Sequence, residues 1–113
     1  MALAVTAEPG GDVTVLHLAG ELDLATADQV DEAVRRQLDA GRPRLLAHLA
    51  GLDFCDSSGL AAFVRASRRC ADAGGWLRLA GQHGRVARVL ALTGLDEMLG
   101  DPADDGAAPR PTT

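Results

Sequence analysis

Short apolar segments of β-type residues alternate along this chain with segments whose apolar residues recur at helical spacing. Such alternation predicts an α/β domain, because parallel strands are joined by right-handed helical crossovers. Only the turn Pro9–Asp12 separates the first two strands, so these are expected to form a hairpin. Strands are predicted at 3–7, 13–18, 44–49 and 76–80, with a weak last strand at 98–99, and helices from about 25 to 40, from Ser58 to about 73 and over 82–92. We therefore expect a four- to five-stranded mixed, largely parallel sheet with helices mainly on one face.

The length and composition of the chain predict one globular domain. It has 113 residues, of which 47% are hydrophobic and 24% charged, which is ordinary for a soluble fold. From Asp101 onward the composition shifts to Pro, Asp, Gly, Ala and Thr, with almost no large apolar residue. We expect a folded domain over 1–100 and a disordered C-terminal tail over 101–113.

Charge, cysteine content and hydropathy argue against several classes of function. The net charge of −5 disfavours nucleic acid as a partner, because phosphate contacts need a basic surface. No leader-like start and no apolar stretch of membrane-spanning length is present, so a cytoplasmic protein without membrane contact is expected. Cys55 and Cys70 form no CxxC pair, and the three histidines show no metal-ligand spacing. The cysteines are expected to be buried or half-buried free thiols, and neither a metal nor a cofactor is predicted.

The segment from Phe54 to Leu60 is typical of a strand end followed by a helix start. Asp56, Ser57 and Ser58 have oxygens that accept hydrogen bonds from the first free N–H groups of a helix, so a purely structural interpretation is a helix cap. The same N–H groups also form a site that favours an anion. A functional interpretation is therefore that Ser57 is a regulatory phosphorylation site whose surroundings bind a partner.

Three motifs in this order resemble the STAS family, which takes its name from sulfate transporters and anti-sigma factor antagonists. Gly20-Glu21-Leu22-Asp23 is similar to the family's start before the first helix, and 93–95 (Thr-Gly-Leu) to its ending after the third. The most specific motif is 56–60, Asp-Ser-Ser-Gly-Leu, which matches the family signature closely. The resemblance spans roughly residues 3–100 and implies a STAS-like fold.

The resemblance also implies a function, that of a stand-alone anti-sigma factor antagonist, which is not an enzyme. In such proteins an anti-sigma factor with serine kinase activity phosphorylates the first hydroxyl residue after the Asp, which here is Ser57. The unphosphorylated form binds the anti-sigma factor and frees the sigma factor, the phosphorylated form lets go, and a serine phosphatase resets the cycle. Asp23 matches a position used in kinase contact, and Asp56, Ser58 and Gly59 would line the same partner-binding surface.

Two departures from the family pattern and two other interpretations stay open at this level. His48 stands where many members have Asp or Asn at the end of the central strand, and the usual fuller last strand and fourth helix are not evident after Leu99. The chain could instead be a binding module without a phosphorylation cycle, such as the small STAS component of a lipid-transport ATPase complex. It could also be an enzyme with Ser57 or Ser58 as nucleophile and His83 as base, although no Gly-x-Ser-x-Gly elbow surrounds the serines.

Overall fold

The computed structural model describes residues 2–100, which form one four-stranded sheet and four helices. The strands are β1 (Leu3–Gly10), β2 (Val13–Leu22), β3 (Arg44–Cys55) and β4 (Trp76–Ala80), and they lie in the order β1-β2-β3-β4. β1 pairs with β2 antiparallel as the predicted hairpin, and the β2–β3 and β3–β4 pairs are parallel. The predicted α/β fold with a mixed, largely parallel sheet is confirmed. The expected tail 101–113 lies outside the described residues.

The helices cover one face of the sheet. They are α1 (Ala27–Asp39), α2 (Ser57–Asp72), α3 (Gly84–Thr93) and α4 (Leu95–Leu99). Along β3, Leu45, Ala47 and Leu49 are buried while the alternate residues Leu46 and His48 are only partly covered. Because side chains alternate between the two faces of a strand, the core lies on one side and the opposite face is more open. The prediction that helices lie mainly on one face is confirmed.

The central strand β3 is longer than predicted. The segment 50–53 was expected to be a loop, but β3 pairs with β2 as far as Leu22 and Cys55, through two register shifts. A glycine at position 51 is typical of a loop, but here it lies within β3. A Cβ added to it would lie 2.9 Å from the Cβ of Ala19 on β2. Glycine is therefore present because the two strand backbones approach closely at this irregular pairing.

The C-terminal element also differs from the prediction. Met98 and Leu99, expected to be a remnant strand, belong to α4, a short version of the fourth helix that the sequence did not reveal. Leu95 and Leu99 are both buried, and their spacing of four residues places them on one side of a helix. Within residues 95–100, only Gly100 adds to the sheet, through an isolated parallel bridge to Leu79.

The carboxyl ends of β2 and β3 lie side by side, and α2 begins directly above them. The backbone N–H of Asp56 donates to the carbonyl of Leu22 at 3.2 Å, so the chain is still tied to β2 as it leaves β3. Phe63, Ala62 and Ala66 then bury one side of α2 against the sheet. This arrangement holds the predicted serine motif at one edge of the domain, next to the loop that joins β2 to α1.

Candidate functional site

The N-terminus of α2 is capped by Asp56. This residue has extended backbone angles (φ −105°, ψ −168°), and its Oδ1 accepts the backbone N–H groups of Ser58 at 2.9 Å and Gly59 at 3.2 Å. The backbone carbonyl of Asp56 accepts the first helical hydrogen bond, from Leu60 at 3.0 Å. One carboxylate therefore satisfies two of the free N–H groups of the first turn, and its negative charge also suits the positive end of the helix dipole.

Ser57 is the first residue of α2 and its side chain is exposed. Within residues 2–100 its hydroxyl takes part in no hydrogen bond, so it does not cap the helix. Ser58 is partly covered and Gly59 is buried, so the three residues of the motif differ in accessibility. The hydroxyl that the sequence singled out is the accessible one.

The anion site predicted at the helix start is already filled by a group of the protein. The N–H groups of Ser58 and Gly59, which would receive a phosphate, are bound by the Asp56 carboxylate. A phosphate on Ser57 would therefore lie beside an existing negative charge and face outward. This differs from the expectation that the helix start receives the phosphate, because sequence alone did not decide which of Asp56 and Ser57 is the cap.

Gly59 is required for the close packing of this turn on the sheet. A Cβ at this position would lie 2.6 Å from Cγ of Leu22 and 2.7 Å from Sγ of Cys55. Both neighbours are buried residues at the strand ends. Gly59 thus contributes to the site by letting the first turn of α2 approach the sheet.

Asp23 organises the adjacent loop between β2 and α1. Its Oδ1 accepts hydrogen bonds from the backbone N–H groups of Ala25 at 3.0 Å and Thr26 at 3.2 Å, and lies 3.2 Å from the Thr26 hydroxyl. Thr26 occupies the N-cap position of α1 but makes no side-chain cap hydrogen bond; it is buried, and its hydroxyl donates to the carbonyl of Glu21 at 2.9 Å. The structure therefore gives Asp23 a local structural role, and it lies at the same edge as Ser57 because Leu22 bonds to Asp56.

Two exposed apolar side chains at this edge were missed by the sequence analysis. Leu24 follows Asp23 and is 81% exposed, and Phe54, two residues before Asp56, is 39% exposed. The sequence signal that could have identified Leu24 is a large apolar residue in the loop that precedes the apolar face of α1. Large exposed apolar side chains rimmed by polar residues offer apolar area that a partner could cover.

The arrangement lacks the geometry of a serine nucleophile and its base. Nε2 of His83 lies 2.8 Å from the backbone carbonyl oxygen of Ala50. Ala50 is five residues before Cys55 on an extended strand, and at about 3.3 Å per residue this places His83 roughly 16 Å from the strand end. His48, expected at the end of the central strand, lies within β3 opposite His17, with a ring-centroid distance of 5.7 Å.

The cysteines are buried free thiols, as predicted. Burial, together with the neighbouring Asp56 carboxylate, raises the pKa of Cys55 to about 12, and burial raises the pKa of Cys70 to about 11. Both thiols are therefore protonated at neutral pH and are poor nucleophiles.

Across residues 2–100 the structure contains no cluster of His, Cys, Asp and Glu suited to a metal ion. In the same range no helix combines the length and hydropathy needed to cross a bilayer.

Comparison with known proteins gives consistent matches over most of the chain. A family model described as the STAS domain matches residues 4–106. A protein of Paenibacillus polymyxa named anti-sigma F factor antagonist is 32% identical over 104 residues, covering 88% of this chain and 86% of the relative.

Two solved structures show the same fold. One is an anti-sigma factor antagonist from Mycobacterium paratuberculosis, with a TM-score of 0.79 and 24% identity over 94% of this chain and 91% of the other. The second is the Bacillus cell fate determinant SpoIIAA in the phosphorylated form, with a TM-score of 0.68 and 23% identity over 92% of this chain and 96% of the other.

Proposed function

The chain belongs to the STAS domain family, and from that premise we propose that it is an anti-sigma factor antagonist controlled by phosphorylation of Ser57. In the unmodified state it binds an anti-sigma factor that has serine kinase activity, which releases a sigma factor. Phosphorylation of Ser57 by that kinase ends the interaction, and a serine phosphatase restores the binding form. The protein is thus a binding regulator that works in the cytoplasm, where sigma factors act.

The observation that most supports this proposal is the exposed Ser57 hydroxyl, which has no structural role in the cap. Asp56 satisfies the N–H groups of Ser58 and Gly59, so a change at Ser57 leaves the helix start intact. A serine whose only role is capping would be expected to accept a backbone N–H hydrogen bond with its side-chain oxygen. The hydroxyl of Ser57 is instead free to be modified and to contact a partner.

The electrostatics of the site favour release on phosphorylation. A phosphoserine adds about −1.5 to −2 charges at neutral pH. Here it would stand next to the carboxylate of Asp56, which occupies the N–H groups that could have balanced it. A partner surface fitted to a neutral hydroxyl would have to remove water from this dianion without pairing it, which is costly. Each 1.4 kcal/mol lost at the interface weakens binding about tenfold.

The switch needs no change of fold. The first turn of α2 is held by the contact of Gly59 with Leu22 and Cys55, and by the hydrogen bond from Asp56 to Leu22. Bacillus SpoIIAA in its phosphorylated form has a fold similar to that of this chain. Both observations support a change of surface charge at a fixed position as the signal.

Asp23, Asp56, Ser57, Ser58 and Gly59 form the polar part of the proposed partner-binding surface, and Leu24 adds an apolar contact. Leu24 is next to Asp23 and is 81% exposed, so docking would remove a large apolar area from water. The partner is therefore expected to offer an apolar depression close to the point where it meets Ser57.

The proposal is tested by incubating the protein with its cognate anti-sigma kinase and ATP and locating the phosphate by mass spectrometry. We expect phosphate on Ser57 in the wild type and in Ser58→Ala, and none in Ser57→Ala. In a binding assay Ser57→Ala should stay bound in the presence of ATP, and Ser57→Asp should bind at least about tenfold more weakly. Equal phosphorylation of Ser57→Ala and wild type would show that the acceptor is another residue. No phosphate on any variant would favour a STAS module that binds without a phosphorylation cycle.

A further inference from the structure

The face of the sheet opposite the helices presents several large side chains from parallel strands. β2, β3 and β4 are parallel, and parallel sheets are usually covered on both faces, because their crossovers place helices on both sides. The side chains that alternate with the buried ones on this open face are Val15, His17, Arg44, Leu46, His48, Trp76 and Arg78. A further polypeptide could therefore cover this face.

Arg78 lies over the ring of Trp76 on the open face. Its guanidinium carbon is 3.9 Å from the ring centroid, and both side chains are half-buried. A contact of this kind restricts the guanidinium group and the directions of its N–H donors. Arginine and tryptophan are also the residue types enriched among those that dominate binding energy in protein interfaces. A bound group would meet a cation that is already ordered, which lowers the entropy cost of binding.

Arg44 brings a second cation to the same place. In the register of β3 and β4, Arg44 pairs with Trp76 and Leu46 pairs with Arg78. The backbone N–H of Trp76 donates to the carbonyl of Pro43 at 3.0 Å, which fixes the amino ends of the two strands side by side. Long side chains at diagonal positions of neighbouring strands lie within reach of each other. The two arginines can therefore act on one ligand.

Neither of these arginines has an acidic partner within residues 2–100, and Asp12 in the hairpin turn forms no ion pair. Glu8 lies in the same cross-strand row as Arg78, but on β1, three strand spacings away. At about 4.8 Å per spacing this is roughly 14 Å, beyond the screening length of about 8 Å at physiological salt. Glu8 is also bound to His17 at 2.7 Å. The surface is thus locally basic on a chain of net charge −5.

We propose that Trp76, Arg78 and Arg44 form a docking surface for an acidic segment of a second partner protein. A carboxylate of that segment binds the guanidinium of Arg78 as a bidentate pair, and Arg44 adds a second positive charge. An apolar side chain of the same segment covers Leu46 and Val15. Complementary charge selects this partner and speeds its association.

A protein segment fits this surface better than nucleic acid or an anionic membrane does. Two arginines can neutralise only a few phosphates, and the rest of a polyanion would be repelled by a domain of net charge −5. Leu46 and Val15 are half-buried beside the arginines and offer apolar area. A protein segment can cover that area with side chains, whereas a phosphate backbone cannot.

This surface is remote from Ser57. β3 begins at Arg44 and ends at Cys55, and its 12 residues span roughly 36 Å at about 3.3 Å per residue. Ser57 follows the carboxyl end of the strand, and α2 packs on the covered face. A segment bound at Arg44 therefore leaves Ser57 accessible, so that the domain can hold two proteins at the same time.

The fluorescence of Trp76 provides the test, because the chain has one tryptophan and no tyrosine. The probe is a short peptide in which glutamate alternates with leucine, titrated into the full chain at low ionic strength. We expect a saturable change in emission, and a dissociation constant at least about tenfold higher in Arg78→Gln. Calorimetry measures the same constants without depending on the tryptophan environment, which Arg78→Gln also alters. Arg88→Gln, exposed on α3, is the matched control and should bind like the wild type.

Two further variants separate a defined site from general attraction and from the Ser57 switch. Arg78→Lys retains the charge but not the planar fork, so it should also weaken binding, whereas general attraction would be unchanged. Ser57→Asp should leave the dissociation constant unchanged. The outcome therefore does not depend on whether Ser57 is phosphorylated.

Three results would overturn the proposal. The first is the absence of saturable binding, or equal constants for the wild type and Arg78→Gln. The second is tighter binding of a single-stranded oligonucleotide than of the peptide, which would assign the surface to nucleic acid. The third is binding only in a chain that ends at Gly100, which would show that the chain's own acidic segment after this residue occupies the surface in place of a partner.

Discussion

Oδ1 of Asp56 accepts a hydrogen bond of 2.9 Å from the backbone N–H of Ser58, so the N-terminus of α2 is capped by a carboxylate. The serine between these two residues is left exposed and unbonded. Under the proposed function, stability and signalling therefore belong to neighbouring side chains. This separation allows the two roles to be tested by single substitutions.

The stability role should belong to Asp56. Asp56→Ala removes the acceptor of two backbone N–H groups and is expected to lower the free energy of unfolding by about 1 kcal/mol. Ser57→Ala should change it by less than about 0.5 kcal/mol, as is usual for exposed side chains. Urea denaturation of both variants measures the difference. A loss in Ser57→Ala as large as that in Asp56→Ala would mean that the hydroxyl is part of the cap.

Gly59→Ala should destabilise the domain through a steric conflict. The new Cβ would stand 2.6 Å from Cγ of Leu22 and 2.7 Å from Sγ of Cys55, in a buried region with little room to adjust. We expect a loss of about 1–3 kcal/mol, the usual cost of overpacking. Because the conflict is with a specific neighbour, the double variant with Leu22→Ala should lose less than the sum of the single losses. Strict additivity in thermal or urea unfolding would contradict the packing described for this turn.

Leu24→Ala should weaken binding to the anti-sigma factor without affecting the fold. Leu24 is 81% exposed, so its truncation removes few contacts in the free protein, whereas burial of a leucine in an interface is worth about 1.5–3 kcal/mol. We expect a loss of affinity of about tenfold or more, measured by calorimetry with the cognate partner.

Leu92→Ala is the matched control for Leu24→Ala. Leu92 is also 81% exposed, but it lies on α3. The control should retain wild-type affinity, and equal effects of the two substitutions would remove Leu24 from the proposed surface.

Alkaline pH should destabilise the domain through its two thiols. The pKa of Cys55 is raised to about 12 and that of Cys70 to about 11, from an ordinary value of 9.0, because both are buried. The unfolded chain therefore releases its thiol protons from about pH 9, while the folded chain keeps them to higher pH. The free energy of unfolding should be unaffected by the thiols below pH 9 and should fall between about pH 9 and 12.

This alkaline effect is unusually easy to isolate, because the chain contains no lysine and no tyrosine. Arginine stays charged throughout this range. In a variant with Cys55→Ala and Cys70→Ala, the free energy of unfolding should therefore be nearly constant from pH 9 to 12. Urea titrations at several pH values compare the two proteins, and an identical decline in both would show that the thiols are not its cause.

Much of the fold could be predicted from the sequence because local signals agreed with tertiary packing. The hairpin turn at 9–12 and the apolar segments at 44–49 and 76–80 each indicated the observed element. The predictions failed at a glycine used for close packing and at a helix of only five residues. Gly51 suggested a loop but permits the approach of β2 and β3. Leu95 and Leu99 complete a helix whose apolar spacing is too short to stand out.

The sequence analysis named the residues of the candidate site but did not resolve their internal arrangement. Asp56, Ser57 and Ser58 can all cap a helix, and the choice among them depends on backbone angles that composition does not determine. The exposure of Leu24 was likewise not evident, because it depends on how the loop between β2 and α1 folds, which composition does not determine. The position of Asp23 next to the serine motif results from the pairing of β2 with β3, which brings distant parts of the chain together.

The close packing of Gly59 against Leu22 bears on how quickly the protein could respond to phosphorylation. Under the proposed function, a phosphate added to Ser57 would act at a fixed position, so no slow rearrangement of the helix end would separate phosphorylation from its effect on binding. The lifetime of the proposed signal would then depend on the enzymes that add and remove the phosphate.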